Sequence, residues 1–341
     1  MKTINIGPKR IGSGEIFFII EEGQANLGDF NKALQMIESA AYSGGDAIEF
    51  QLARADDLYV MNHEGYAIYK NREFSECQLF DLVAKVKENG LEMIAAPLSH
   101  KLISTLVDVG CSAFNINASD LNNPDIIDSV CDSGLPFFLS LPLATEEETN
   151  WAINRIIQKS DNNFSILHGQ HTMASGSNGV NVEDTSLGYI SSLKEKYNLN
   201  VGYIDHTPYK WMPASAVAAG ADIISKHLTY SRSEKGPDWQ ICLEPDEMKE
   251  AIDWARKMNQ SIRVKNKQLA PGENIDRSQM RRSIVASKDI KSGTIIKKED
   301  LAFKRPGSGL KPSNYEKVVG KVAKRDIYKD GQICLIDLEG N

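Results

Sequence analysis

The chain has 341 residues, 41% of them hydrophobic and 25% charged, with a formal net charge of −7. This is the composition of a soluble globular protein with room for one large and one small domain, and its acidic balance excludes a broad nucleic-acid surface. The start, MKTINIGPKRIGSGE, lacks an apolar targeting core, and runs such as IFFII are too short to span a bilayer, so a cytoplasmic protein without membrane contact is expected.

Residues 1–15 read as a leader holding a hairpin of TINIG and KRIGSG, after which strands and helices alternate. IFFIIE (16–21) leads to a helix with Asp29 as its N-cap and an apolar face of Ala33, Leu34, Ile37, Ala40 and Ala41. DAIEFQ (46–51) leads, after a longer loop, to ECQLFDLVAKVKENG, closed by Gly90. The alternation continues with LEMIAAP (91–97), SAFNIN (112–117), LPFFLSLP (135–142), FSILHG (164–169), NVGYID (200–205) and ADIISKHL (221–228), each preceding a helical segment. The last helix opens at Pro245. The strands are continuous apolar runs, as expected where both faces of a parallel sheet are buried.

Eight such units fit a (β/α)8 TIM barrel, α/β in class, over residues 1–265. No G-x-G-x-x-G or G-x-x-x-x-G-K-[ST] follows any strand, which argues against a dinucleotide or P-loop enzyme. Residues 266–281 are polar, with Pro and Gly, and read as a linker. Residues 282–341 hold short β-prone runs between KSG, PGSG and KDG turns, a small β-rich domain with a local excess of Lys and Arg.

Barrel enzymes work at the C-terminal ends of their strands. Polar residues at those ends include Glu21, Glu49, Gln51, Asn115, Asn117, Asp120, Ser140, His168, His171, Asp205, His206, Lys226, His227 and Asp238. His206 and His227 end neighbouring strands, and GPD follows nine residues after the second. Two neutral imidazoles with hard oxygens nearby suit Mn²⁺ or Mg²⁺, or Zn²⁺ if His168 or His171 supplies a third nitrogen. Each His can also simply cap its strand by hydrogen bonding. Glu21 is a candidate acid/base, or an ordinary paired carboxylate. Arg305 sits in the KRPGSG turn and gains a role only where that turn covers a barrel mouth.

The ordered motifs EEGQANLGD, DAIEFQ, LEMIAAPLS, GYIDHT, SKHLTYSRSEKGPD, LEPDEMK and ASKDIKSGTIIKKEDLAFKRPGSG resemble the sialic acid (N-acetylneuraminate) synthase family, which includes the legionaminic and pseudaminic acid synthases. The resemblance spans nearly the whole chain. It implies a barrel followed by a C-terminal antifreeze-like (SAF) domain. It further implies condensation of phosphoenolpyruvate with an open-chain N-acetylated amino sugar, and a domain-swapped homodimer whose small domain covers the partner's barrel mouth. Carried onto this sequence, His206 and His227 would bind Mn²⁺ or Mg²⁺ and take part in catalysis with Glu21. Gln51, Asp120, Ser140 and Asp238 would face substrate. Arg305 would reach the acyl-amino group of a sugar in the other subunit.

The departures cluster on strands 1 to 4. Ala25 and Asn26 stand where the family has Asn and His, Glu49 where it has Lys, and Ala95, Ala96, Pro97 and Leu98 where it has STPF. Asn115, Asn117, Ala118 and Asp120 replace a Lys and a GS-E pattern, and Ile204 replaces Ser. These are the positions that hold phosphoenolpyruvate in the family, and each charge-assisted contact contributes roughly 1.5–3 kcal/mol. Arg54, His100 and Lys101 are nearby candidates for compensating cations. Three readings therefore stand. The first is a synthase with a rearranged anion site. The second is a member that keeps the metal and sugar pole but uses another reaction partner. The third is a non-catalytic sugar-binding paralogue.

Overall fold

The apolar runs become eight parallel strands that close on themselves. The computed structural model describes residues 2–159, 163–173 and 176–339. They fall into two compact units, Met1–Val264 and Lys265–Asn341.

The first unit opens with a hairpin of β1 (Ile4–Ile6) and β2 (Lys9–Ile11). The barrel strands are β3 (Phe17–Glu21), β4 (Ala47–Leu52), β5 (Glu92–Pro97), β6 (Ala113–Ile116), β7 (Phe137–Ser140), β8 (Phe164–His168), β9 (Val201–Asp205) and β10 (Ile223–His227). Each pairs with the next, and β10 pairs with β3 to complete the ring. The helices are α1 (Phe30–Ser43), α2 (Ala55–Leu58), α3 (Glu64–Lys70), α4 (Glu76–Glu88), α5 (Leu102–Asp108), α6 (Pro124–Asp132), α7 (Glu146–Lys159), α8 (Tyr189–Tyr197), α9 (Met212–Ala218) and α10 (Pro245–Ile262). Asp29 caps α1 as expected, accepting from the amides of Asn31 and Lys32. The loop expected between β4 and α4 contains α2 and α3.

Side chains alternate across each strand, and two cores result. The inner one holds Phe17, Ile19, Ala47, Ile94, Phe138 and Leu167, and Ile4, Ile6 and Ile11 of the hairpin join it. The expected hairpin therefore plugs the barrel at the end where the strands begin. The outer core lies between strands and helices and includes Phe18, Ile20, Phe50, Tyr203 and Ile224.

This alternation decides which strand-end polar residues face the barrel axis. Tyr203 and Ile224 belong to the outer core, so Asp205 and Lys226, two residues further along, share that outer face. Both are fully buried, with Lys226 Nζ 2.9 Å from Asp205 Oδ2. The contact is electrostatic rather than directional, since Oδ2 has no hydrogen bond. The ammonium donates instead to the Thr207 and Asp205 carbonyls, and Asp205 Oδ1 accepts from the Thr207 amide at 2.8 Å. The pair joins the ends of β9 and β10, immediately before His206 and His227.

In the second unit, α11 (Glu273–Met280) occupies the stretch expected to be a linker. Strands β11 (Ser283–Ala286) and β12 (Leu301–Lys304) pair antiparallel. They pack over a core that includes Ile284, Ile296, Val318, Ile333 and Leu338. Among the described residues no helix is long and apolar enough to cross a membrane.

Removing one member of a buried ion pair strands the other charge, whereas replacing both with apolar groups does not. Lys226→Met should therefore cost about 3–5 kcal/mol in urea unfolding. Lys226→Met combined with Asp205→Leu should recover most of that loss.

Candidate active site at the barrel mouth

Strand closure builds the site. The β10–β3 register sets His227 beside Glu21, and the β3–β4 register sets Glu21 beside Glu49. Imidazole, carboxylate and carboxyl group thus form one row across three strands. His206 follows the end of β9, and its ring centroid is 5.3 Å from that of His227.

A cavity of about 290 Å³ opens above this row. Glu21, Gln51, Ser140, His206, His227 and Asp238 all line it, so six of the eight expected site residues converge. Asp120 does not line it. Its carboxylate accepts from Asn123 Nδ2 at 2.8 Å and Ser119 Oγ at 3.0 Å, stabilising the turn after β6. Arg305 lies exposed in the turn after β12 of the second unit.

The histidines sort by strand phase. His168 points into the outer layer, where Nε2 lies 3.2 Å from the Ser186 carbonyl and the ring meets Tyr189 and Tyr203. It is therefore not a third ligand at the mouth. His171 lines the cavity, with its ring centroid 4.8 Å from that of His206. Among the described residues, no group of three His, Cys, Asp or Glu side chains is close enough to hold a metal ion.

The donor set of the His pair nevertheless fits a divalent cation. His206 Nδ1 and both ring nitrogens of His227 are buried without hydrogen-bond partners. His227 Nε2 approaches Glu21 Oε2 at 3.4 Å but outside hydrogen-bond geometry. Burial, then the neighbouring His227, His171 and Lys226, push His206 well below the usual histidine range, so it is neutral at pH 7. A neutral imidazole with a bare nitrogen is what a metal requires. Gly23 packs on the other side of His227: a Cβ there would stand 2.3 Å from Nδ1, and its φ of +57° already favours glycine. Nε2 is consequently the nitrogen turned toward Glu21 and the cavity.

The floor is a hydrogen-bonded chain. Ser140 Oγ donates to Asn115 Oδ1 at 2.8 Å, and Asn115 Nδ2 donates to Glu49 Oε1 at 2.9 Å. Gln51 Nε2 donates to Glu21 Oε1 at 2.8 Å, and Ser225 Oγ approaches Glu21 Oε2 at 3.4 Å. Burial, followed by the charge of Glu21, pushes Glu49 well above the usual carboxylate range, so it is a neutral acid.

The expected compensating cations are committed elsewhere. Arg54 donates to the Phe74 carbonyl at 2.8 Å and pairs with Glu73 at 3.7 Å, while Lys101 pairs with Asp57. Neither they nor His100 line the cavity. Tyr59 and Tyr69 do line it, and both were hidden in the stretch read as a loop. The only sequence signal for them was the aromatic density of DLYVMNHEGYAIYK.

Residues 36–267 match the model of the NeuB family, and residues 281–338 match that of the SAF domain. The chain belongs to the NeuB family. An uncharacterized protein of Methanocaldococcus jannaschii is 32% identical to it over 349 residues, covering 100% of each chain. N,N'-diacetyllegionaminic acid synthase of Legionella pneumophila is 29% identical over 333 residues, covering 92% of each. The N-acetylneuraminic acid synthetase of Leptospira borgpetersenii, solved in complex with citrate, superposes with a TM-score of 0.73 at 29% identity, covering 81% of this chain and 95% of that one. The motif resemblance thus holds at the level of family and fold.

The loop after β3 in this NeuB-family chain is organised by Glu22. Its carboxylate accepts from the Gln24 amide at 3.0 Å, the Asn26 amide at 2.5 Å and Asn26 Nδ2 at 2.8 Å. Burial outweighs these donors and raises its pKa from 4.5 to about 7. A carboxyl group with a raised folded-state pKa contributes stability that is full below the unfolded value and is lost as pH rises through the folded one. Relative to Glu22→Gln, the native protein should therefore lose on the order of 3 kcal/mol between about pH 4.5 and pH 8 in denaturant titrations.

Proposed function

We propose that the protein is a nonulosonic acid synthase, a carbon–carbon bond-forming transferase. It condenses phosphoenolpyruvate with the open-chain form of an N-acetylated amino sugar in a metal-dependent aldol-type reaction. The observation that carries this reading is the convergence of His206, His227, Glu21, Gln51, Ser140 and Asp238 on one cavity in a NeuB-family barrel. His206 and His227 would hold Mn²⁺ or Mg²⁺. When bound, such an ion acts as a Lewis acid toward a carbonyl oxygen.

The residues of the chain have separate tasks. Glu21 is the acid/base carboxylate, oriented by Gln51. Asp238 and Ser140 face the sugar hydroxyls. Asp120 acts from the rim, through the turn it stabilises. In a domain-swapped homodimer of this cytoplasmic enzyme, Arg305 of one subunit reaches the acyl-amino group of a sugar held by the other.

A second reading has its own support. No Lys or Arg among the described residues lines the cavity, so the metal and sugar pole could be kept with a different donor.

With Mn²⁺, phosphoenolpyruvate and N-acetylmannosamine or a diacetamido hexose, purified protein should release one phosphate per keto acid formed. Absence of phosphate release with every such sugar, alongside intact metal binding, would sink the phosphoenolpyruvate reading. The Mn²⁺-dependent thermal shift should vanish in His206→Ala and in His227→Ala; its persistence in both would remove the metal assignment. Arg305→Ala should weaken sugar binding about tenfold, the equivalent of one neutral-to-charged hydrogen bond of roughly 1.4 kcal/mol. The melting temperature should not change.

A further inference from the structure

The cavity has a charge that limits its donor substrate. Glu21 and Asp238 are the charged carboxylates on its wall, and no Lys or Arg among the described residues offsets them. Four basic residues of the strands and loops around it are engaged: Arg54 with Glu73, Arg72 with Gln24 Oε1, Lys101 with Asp57, and Lys226 with Asp205 on the outer face of the strands.

The floor is also bonded within itself. Ser140 donates inward to Asn115, Asn115 to Glu49, and Gln51 and Ser225 to Glu21. Glu49 is fully buried, and its Oε2 has no partner. A phosphate ester carries charge that calls for cations directed at its oxygens, and among the described residues no Lys or Arg lines this cavity to supply one. With a dication at the His206–His227 pair, the charges of Glu21 and Asp238 are balanced. One further negative charge is then tolerated far better than three.

We propose that this site takes an unphosphorylated 2-oxo acid of pyruvate size as its donor and adds the donor's methyl carbon to the aldehyde carbon of the open-chain sugar. This rests on the second reading above and names its donor. One C–H bond of the methyl group breaks and a carbon–carbon bond forms to the aldehyde carbon. The aldehyde oxygen gains a proton in place of the one lost. The keto and carboxylate groups survive, no phosphate leaves, and no water is consumed. The product has the same 3-deoxy-2-oxo acid pattern that phosphoenolpyruvate would give, so product identity alone does not separate the two donors.

The test uses the full-length, Mn²⁺-loaded protein and two probes, pyruvate and phosphoenolpyruvate. Calorimetry should show pyruvate binding at least tenfold more tightly. Incubation with pyruvate and the amino sugar should give keto acid with no phosphate in solution. Glu49→Lys, which puts a cation under the floor, should move the affinity ratio at least tenfold toward phosphoenolpyruvate. If that variant does not fold, Asn117→Lys at the cavity wall should move the ratio the same way. Equal or tighter binding of phosphoenolpyruvate, with phosphate released one for one and no product from pyruvate, overturns the proposal and leaves the phosphoenolpyruvate synthase standing. Failure of both donors to bind or react, with the Mn²⁺-dependent thermal shift intact, overturns the proposal and the carbon–carbon bond-forming reading together.

Discussion

The site depends on the pairing of the last barrel strand with the first. Closure of β10 onto β3 is what sets His227 beside Glu21, two residues more than 200 positions apart in the chain. The pairing of β10 with β9 then brings His206 alongside. Backbone register therefore does the convergent positioning, and the side chains inherit it with little freedom left. The buried Lys226–Asp205 pair acts at the same seam from the opposite face. It satisfies the Asp205 carbonyl and the amide and carbonyl of Thr207, the residues on either side of His206. A loop placed by side-chain contacts alone would hold two imidazoles less rigidly.

Much of this was legible in the sequence. Continuous apolar runs gave strand number and class, because a strand buried on both faces has no other composition available. Asp29 announced the start of α1 through the capping rule. Strand-end histidines announced a site, because barrel chemistry collects at that end.

Strand phase was not legible, for the same reason that the strands were. When both faces are apolar, nothing in the sequence marks which residues point inward. His168 and His171 looked equivalent, yet one lies in the helix layer and the other at the mouth. Asp205 and Lys226 looked like active-site residues and instead form a structural pair. The hairpin was legible locally, but its use as a plug was not, since Ile4, Ile6 and Ile11 are ordinary hairpin residues until the open end of a barrel lies beneath them. Tyr59 and Tyr69 were missed because α2 and α3 are too short for helical periodicity to register.

The departures from the family's pattern gain a common physical meaning from the geometry. Glu49 in place of a cation would be intolerable as an isolated buried anion beside Glu21, because the desolvation cost of a charge there is large. Burial resolves the conflict by keeping Glu49 protonated, and Asn115 then fits as the donor to its carbonyl oxygen. Asn115 in turn presents an acceptor to Ser140. Each replacement makes sense given the one before it. A Lys reinstated at a single position would meet a floor whose remaining groups are arranged for a neutral partner. Glu49, Asn115 and Ser140 therefore form one connected chain with Asn115 as the shared neighbour, so a change at Glu49 reaches Ser140 through Asn115.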